Sequence, residues 1–422
     1  MVNGLPIMTA DALSLNYFMI GVAAILITGF IGRALAKRTG ITHILWLMVL
    51  GIIIIPVFGL FSRGTFLALM PDVASVVITI VLFNFGLGLN AHKLIKQISV
   101  SSLLLSANFI ASVLLVFIVT HFIGYNYLDS ALIGFAVGGT SAVILPFGSI
   151  SRLVDEKTNI LLNLEAMITE PLSVIFVLIL IVVAALNTTN MELILTTIVG
   201  QFSTAIVLGA LFGFAWVPLM AFMQHHKYEY SYVSSLAVVF ILYIVTQDIG
   251  GSGPMAALIF GLLIANGEGL YHLLKYKHNK YFTLNRESRY FNDLISFITT
   301  SAFFVYFGGL VIPQDIYSLV VGVAIGLTII IARQIGTWTS LARSSTPKVD
   351  KFFLSSMMTR GTGAAVSAAL LVAYNVFNPS LITVFFSIIL VTVFINGVMF
   401  ARFNAIYKRL KQQEPPSGSQ AQ

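Results

Sequence analysis

The chain has 422 residues, of which 58% are hydrophobic and only 9% charged, with a mean hydropathy of +0.96. That composition excludes a soluble globular domain and leaves an all-α polytopic membrane protein. Cysteine is absent, which excludes disulfides, iron–sulfur clusters and thiolate zinc sites, and the net charge of +7 reads as basic cytoplasmic loops rather than a nucleic-acid surface.

A membrane-crossing helix needs about 20 apolar residues. About thirteen segments are predicted to cross: Leu15–Ala36, Ile41–Phe61, Pro71–Leu89, Ile98–Phe122, Ala131–Ile150, Thr158–Leu186, Leu193–Phe222, Tyr230–Thr246, Gly253–Asn266, Asn292–Val311, Ile316–Leu341, Phe352–Val376 and Leu381–Tyr407. The first begins without a basic lead-in or a clear cleavage site, so no removable leader is expected. Residues 1–412 read as one transmembrane unit and 413–422, polar and Pro/Ser-rich, as a disordered cytoplasmic tail.

Charge orients the chain. With the N-terminus outside, every Lys and Arg except Arg63, Arg333 and Arg360 falls in an inside loop. Basic residues gather on the cytoplasmic side of a membrane protein, so the N-terminus is predicted outside and the C-terminus in the cytoplasm. Thirteen segments divide as six, one and six, which starts the second six on the opposite face. That is the arithmetic of a six-helix inverted-topology repeat. Segments 5 and 12 are counterparts, and both carry helix breakers: Gly138-Gly139-Thr140-Ser141 in one, Thr359-Arg360-Gly361-Thr362-Gly363 in the other. Such a pair predicts two discontinuous helices crossing near the midplane. The alternative is that the small residues serve only close helix packing.

Segment 6 holds the stretch Asn163-Leu164-Glu165-Ala166-Met167-Ile168-Thr169-Glu170-Pro171. A carboxylate at membrane depth is costly, by a contested ~3 kcal/mol or more, so each needs a reason. Glu165 and Glu170 lie about 140° apart around a helix at about 100° per residue, and so face different neighbours. The basic residues at depth are Arg333 and Arg360. One acid paired with one arginine is a neutral bolt, and the other acid is then available to a cation or a proton. Pro171 lacks an N–H, which frees the carbonyl of Met167 near Glu170, and Thr169 adds a hydroxyl. A carboxylate among neutral oxygens suits a hard monovalent cation. Arg360 can offset the negative ends of broken helices. The seven histidines fall in loops or at segment ends, which leaves no histidine relay through the membrane.

Thr140-Ser141, Glu165 with Thr169-Glu170, Ala332-Arg333-Gln334-Ile335-Gly336-Thr337-Trp338 and Thr359-Arg360-Gly361 together resemble a monovalent cation/proton antiporter of the sodium/proton exchanger superfamily, in its electroneutral prokaryotic branch. The resemblance implies a homodimer, with a dimer domain from segments 1–3 and 7–10 and a mobile core from segments 4–6 and 11–13. It implies that Glu170 binds the ion, that the backbone at Thr140 helps, and that Glu165 pairs with Arg333. The chain departs from the pattern in three places: Thr169-Glu170 stands for Asn-Asp, Ser141 for an acidic residue, and Ala166 for a serine. The reading is a plasma-membrane antiporter that exchanges an alkali cation at Glu170 for H⁺, one for one, by alternating access. Na⁺ is the first expectation, with K⁺ and Li⁺ as alternatives. Thr169, Thr140, Ser141 and Met167 complete the site, no cofactor is needed, and Arg360 compensates charge. An organic-anion/sodium symporter of related fold and a non-transporting sensor on the same scaffold remain alternatives. Metalloprotease and nucleophile-elbow motifs are absent, so an enzyme is not expected.

Overall fold

The computed structural model describes residues 10–39, 42–59, 62–89, 91–141, 156–188, 190–226, 231–267, 286–342, 344 and 346–413. Among them there are helices and no strands. In chain order the helices are α1 (Ala10–Thr39), α2 (His43–Ile52), α3 (Arg63–Ala68), α4 (Met70–Gly88), α5 (Ala91–Ile123), α6 (Tyr127–Ala136), α7 (Glu156–Leu186) and α8 (Met191–His225). They continue as α9 (Ser231–Asp248), α10 (Gly253–Ala265), α11 (Arg286–Gly309), α12 (Ile316–Ser340), α13 (Lys348–Ser356), α14 (Thr362–Ala373) and α15 (Ser380–Gln413). Helix α2 runs on into a π-helical turn, Ile53–Val57, at Pro56. Six of the described helices are long and apolar enough to cross a membrane.

Local chemistry explains where the helices start and stop. Asn126 caps α6 by accepting the Asp129 N–H at 2.8 Å, and α6 ends as Gly138-Gly139 follow. Asp315 caps α12, accepting from the Ser318 N–H at 3.0 Å and the Ser318 hydroxyl at 2.6 Å. Those bonds hold the Asp315 carboxyl below the usual carboxylate range. Segment 12 is broken between α13 and α14, and segment 5 is broken after α6. Residues 142–150, the rest of segment 5, and 414–422 of the expected tail lie outside the described residues. Pro171 and Pro218 sit inside α7 and α8 without ending them.

The packing falls into two groups. Helix α5 lies against α12, α12 against α15, α6 against α7 and α14 against α15. The other group joins α4 to α10, α10 to α8, α2 to α11 and α1 to α2. The groups meet where α4 and α11 touch α14 and where α4 and α8 touch α7. Many pairs recur seven segments along the chain: α1–α2 with α9–α10, α4–α10 with α11–α2, α5–α6 with α12–α13, and α5–α7 with α12–α15.

Glycine makes the α4–α10 and α2–α11 contacts backbone-close. A Cβ on Gly86 would lie 2.7 Å from Leu262 N, and one on Gly261 3.1 Å from Leu87 N. A Cβ on Gly51 would lie 2.7 Å from Gly309 N, and one on Gly308 2.8 Å from Met48 Cα. Lipid tails are as apolar as leucine, so close packing by small residues is what holds such helices together. Gly86→Leu and Gly308→Leu are therefore each expected to destabilise the protein by about 1–3 kcal/mol or more, read as a lower Tm and a loss of monodisperse protein in detergent. Gly200→Leu, where a Cβ meets nothing within 4 Å, should leave both unchanged.

Candidate functional site

The breaks in segments 5 and 12 touch each other. Unwound backbone at depth must find partners inside the protein. Ser141 N–H donates to the Thr359 carbonyl at 2.9 Å, and the Thr359 hydroxyl donates back to the Ser141 carbonyl at 3.2 Å. Thr140 N–H donates to the Thr169 hydroxyl oxygen at 3.1 Å, and that hydroxyl donates to the Glu165 carbonyl at 2.8 Å. Thr169 thereby splints the first break onto α7. Gly139 lets this happen: a Cβ there would lie 2.6 Å from the Thr169 carbonyl oxygen. The backbone N–H of Arg360 donates to the Thr392 hydroxyl of α15 at 3.3 Å.

Glu165 faces α12. Both it and Arg333 are 1% exposed. The guanidinium grips the carboxylate with two bonds, Nη1 to Oε1 and Nη2 to Oε2, the second at 3.0 Å. Its Nε donates to the Leu354 carbonyl at 2.9 Å, at the inner end of the second break. Asn108 of α5 donates to Glu165 Oε1 at 3.4 Å and accepts from the Thr337 hydroxyl at 3.2 Å. Thr140 donates its hydroxyl to the same carboxylate oxygen at 3.4 Å and accepts Arg360 Nη1 at 3.0 Å. Arg360 Nη2 donates to the Ser112 hydroxyl at 3.1 Å. The two arginines and Glu165 form one buried network through Thr140.

Glu170 faces elsewhere, as the 140° separation requires. It is 3% exposed, and its Oε1 accepts the Gly363 N–H at 2.8 Å. Gly363 is the second residue of α14, where backbone N–H groups lack helical partners and the helix end carries partial positive charge. Among the described residues the side-chain oxygens of Ser141 and Thr362 are buried without hydrogen-bond partners, as is Arg360 Nε.

The sequence-predicted residues Thr140, Ser141, Thr169, Glu165, Arg333, Arg360 and Glu170 thus lie in one connected region. Met167, whose backbone carbonyl is the expected ligand, turns its side chain toward α4, where a Cβ on Gly88 would lie 4.0 Å from its Cε. The Arg360 guanidinium, expected to offset the negative ends of broken helices, donates to the hydroxyls of Thr140 and Ser112. Asn108, Ser112 and Thr392 carry no signal in the sequence, and Gly363 appears there only as a helix breaker. Asn108 and Ser112 are four apart on an apolar helix, a spacing that places them on one face.

A profile of the family described as sodium/hydrogen exchanger, transmembrane, matches residues 22–405. The chain belongs to this sodium/hydrogen exchanger family. Among curated exchanger relatives, the K(+)/H(+) antiporter NhaP2 of Shewanella baltica (strain OS223) is 25% identical over 242 residues, which is 56% of this chain and 39% of the relative. The protein of the same name from Shewanella sp. (strain MR-4) is 25% identical over 243 residues, 56% of this chain and 40% of that one. The chain therefore spans about two-fifths of the length of these curated relatives. The exchanger fold is also that of the sodium proton antiporter MjNhaP1 from Methanocaldococcus jannaschii, solved at pH 8. The TM-score is 0.72 at 19% identity, over 95% of this chain and 100% of the other. An electron-microscopy structure of MjNhaP1 gives a TM-score of 0.70 at 18% identity, over 98% of this chain and all of that one.

The buried pair makes a stability prediction. Removing one partner strands a charge in a low-dielectric interior, at about 3–5 kcal/mol. Glu165→Ala and Arg333→Ala should each lower the detergent Tm sharply, while the double variant Glu165→Ala/Arg333→Ala should lose less than the two single losses together. Additive losses in that cycle would show that the two groups do not act as a pair.

Proposed function

We propose that this exchanger carries one monovalent alkali cation against one H⁺, with Glu170 as the group that holds each in turn. The observation that carries the proposal is the division between the two acids. Glu165 is gripped by Arg333 with two bonds. Glu170 stands at the crossing, where Gly363 N–H holds one of its oxygens. A carboxylate in a buried, partly neutral setting binds H⁺ or a cation in competition, because either guest neutralises the same charge.

Stoichiometry follows from charge. Arg333, Arg360, Glu165 and ionised Glu170 sum to zero. Binding H⁺ or one alkali cation adds the same single charge, so exchange of one for the other moves no net charge. The curated relatives are named for K⁺ and the structural relative for Na⁺, which brackets the choice of cation.

The structural partner of this chemistry is alternating access. Helices α5–α7 and α12–α15 would be the moving core. Helices α1–α4 and α8–α11 would be the scaffold that dimerises. The division of helix packing into two groups supports this split, and the recurrence of pairs seven segments apart supports the inverted repeat. The N-terminus would lie outside the plasma membrane and the C-terminus in the cytoplasm, on the strength of the basic loops.

Glu170→Gln keeps the shape of the side chain and removes its charge. In proteoliposomes carrying a pH gradient, alkali-cation addition should dissipate the gradient with the wild type and leave it intact with Glu170→Gln, a loss of about a hundredfold or more in rate. Dissipation by the variant at the wild-type rate would remove Glu170 from the mechanism.

A further inference from the structure

We propose that the backbone N–H of Gly363 sets the cation preference of the Glu170 site, and that it sets it toward the larger alkali cations, K⁺ and Rb⁺, over Na⁺ and Li⁺. This rests on the reading of Glu170 as the exchange site, and deepens it by naming the cation.

Small alkali cations hold their water most tightly. A site takes Na⁺ or Li⁺ out of water only if its oxygens carry concentrated negative charge. Oxygens of weaker field favour K⁺ and Rb⁺, whose water is cheaper to remove; coordination number and field strength are the levers of such selection. Four observations make the Glu170 site a weak-field one.

The carboxylate already shares one oxygen with a hydrogen-bond donor. Gly363 N–H meets Oε1 at 2.8 Å in a buried setting, which draws electron density from the carboxylate. The donor belongs to the first turn of a 12-residue helix, α14. Its end carries a partial positive charge equivalent to roughly half an elementary charge.

The second acid is withdrawn. Glu165 gives both its oxygens to Arg333, and Asn108 and Thr140 add donors to Oε1. The residue beside Thr140 is Ser141, a neutral hydroxyl. Its oxygen and that of Thr362, the residue next to Gly363, are buried and have no hydrogen-bond partner. Both are at the crossing, and neither carries charge. Arg360, 1% exposed and bound to Thr140, adds a positive charge to the same region.

The side chains at 170 and 363 fit each other. A Cβ on Gly363 would lie 2.7 Å from Glu170 Cγ and 3.4 Å from its Oε1. Glycine at 363 thus leaves the space in which the carboxylate reaches the N–H. Glutamate supplies the reach, and an aspartate at 170 would stop one methylene short. The amide and the glutamate form a matched pair, and changing either alone should restore field strength to the carboxylate.

The test uses the full chain in proteoliposomes with an imposed pH gradient, adding KCl, RbCl, NaCl or LiCl in separate runs. For the wild type, half-saturating K⁺ and Rb⁺ should lie at least about threefold below Na⁺ and Li⁺, a difference of roughly 0.65 kcal/mol or more. In Glu170→Asp, and in Gly363→Ala where the methyl pushes the carboxylate off the amide, the K⁺-to-Na⁺ ratio should fall toward one or invert. Cation-dependent Tm shifts of purified wild type in detergent give a readout that needs no variant, and K⁺ should stabilise at lower concentration than Na⁺. Wild-type preference for Na⁺ or Li⁺ in either assay overturns the inference, and so does a ratio unchanged in both variants. Failure of the exchange reading itself looks different: no alkali cation dissipates the gradient with the wild type, or Glu170→Gln still does so.

Discussion

The grip of Arg333 on Glu165 is the constraint on which the rest depends. Two full charges sit at depth in a chain with only 9% charged residues. Each alone would be costly there, and together they cancel while satisfying each other's hydrogen bonds. Because Arg333 also donates to the Leu354 carbonyl, the pair fastens α7 and α12 to α13, the first half of broken segment 12. The pair neutralises one acid and fixes the helix from which the other acid projects.

The crossing supplies the second half of the arrangement. Unwound backbone in a membrane protein has no water to turn to, and here the two breaks satisfy one another through Ser141 and Thr359. The Thr169 and Thr392 hydroxyls accept two further backbone N–H groups, those of Thr140 and Arg360, so hydroxyls stand where a soluble protein would use water. Glu170 lies on a helix N-terminus there, and among the described residues the hydroxyl oxygens of Ser141 and Thr362 and Nε of Arg360 are buried without partners. Polar groups in a dry interior are usually satisfied. The Ser141 and Thr362 oxygens are exceptions to that rule.

Much of this was legible in the sequence because membrane depth makes polarity conspicuous. Glu165, Glu170, Arg333 and Arg360 stand out in apolar runs, and the glycine pairs at 138–139 and 361–363 stand out in segments that count as symmetry mates. The five-residue spacing of the acids already placed them on different faces, and the structure turns one to α12 and the other to α14. The partners that give the site its character were harder to see. Gly363 acts through its backbone, Asn108 and Ser112 look like ordinary polar residues on an apolar helix, and Thr392 is one hydroxyl among several. Each contact bridges 32 to 248 positions of sequence, which spacing rules do not reach. Thr169, expected at the ion site, has a second role that its residue type does not announce: its hydroxyl bonds Thr140 and Glu165 and holds the break in place.

The account turns on a single carboxylate that holds a proton or a cation and never both. The most direct measurement is the number of protons released per cation bound to purified protein, obtained by titration calorimetry in buffers of different ionisation enthalpy. The account predicts that cation binding releases protons, that the count rises toward one per chain as pH is lowered, and that it never exceeds one. Binding heats independent of buffer at every pH, or a count approaching two, would contradict it.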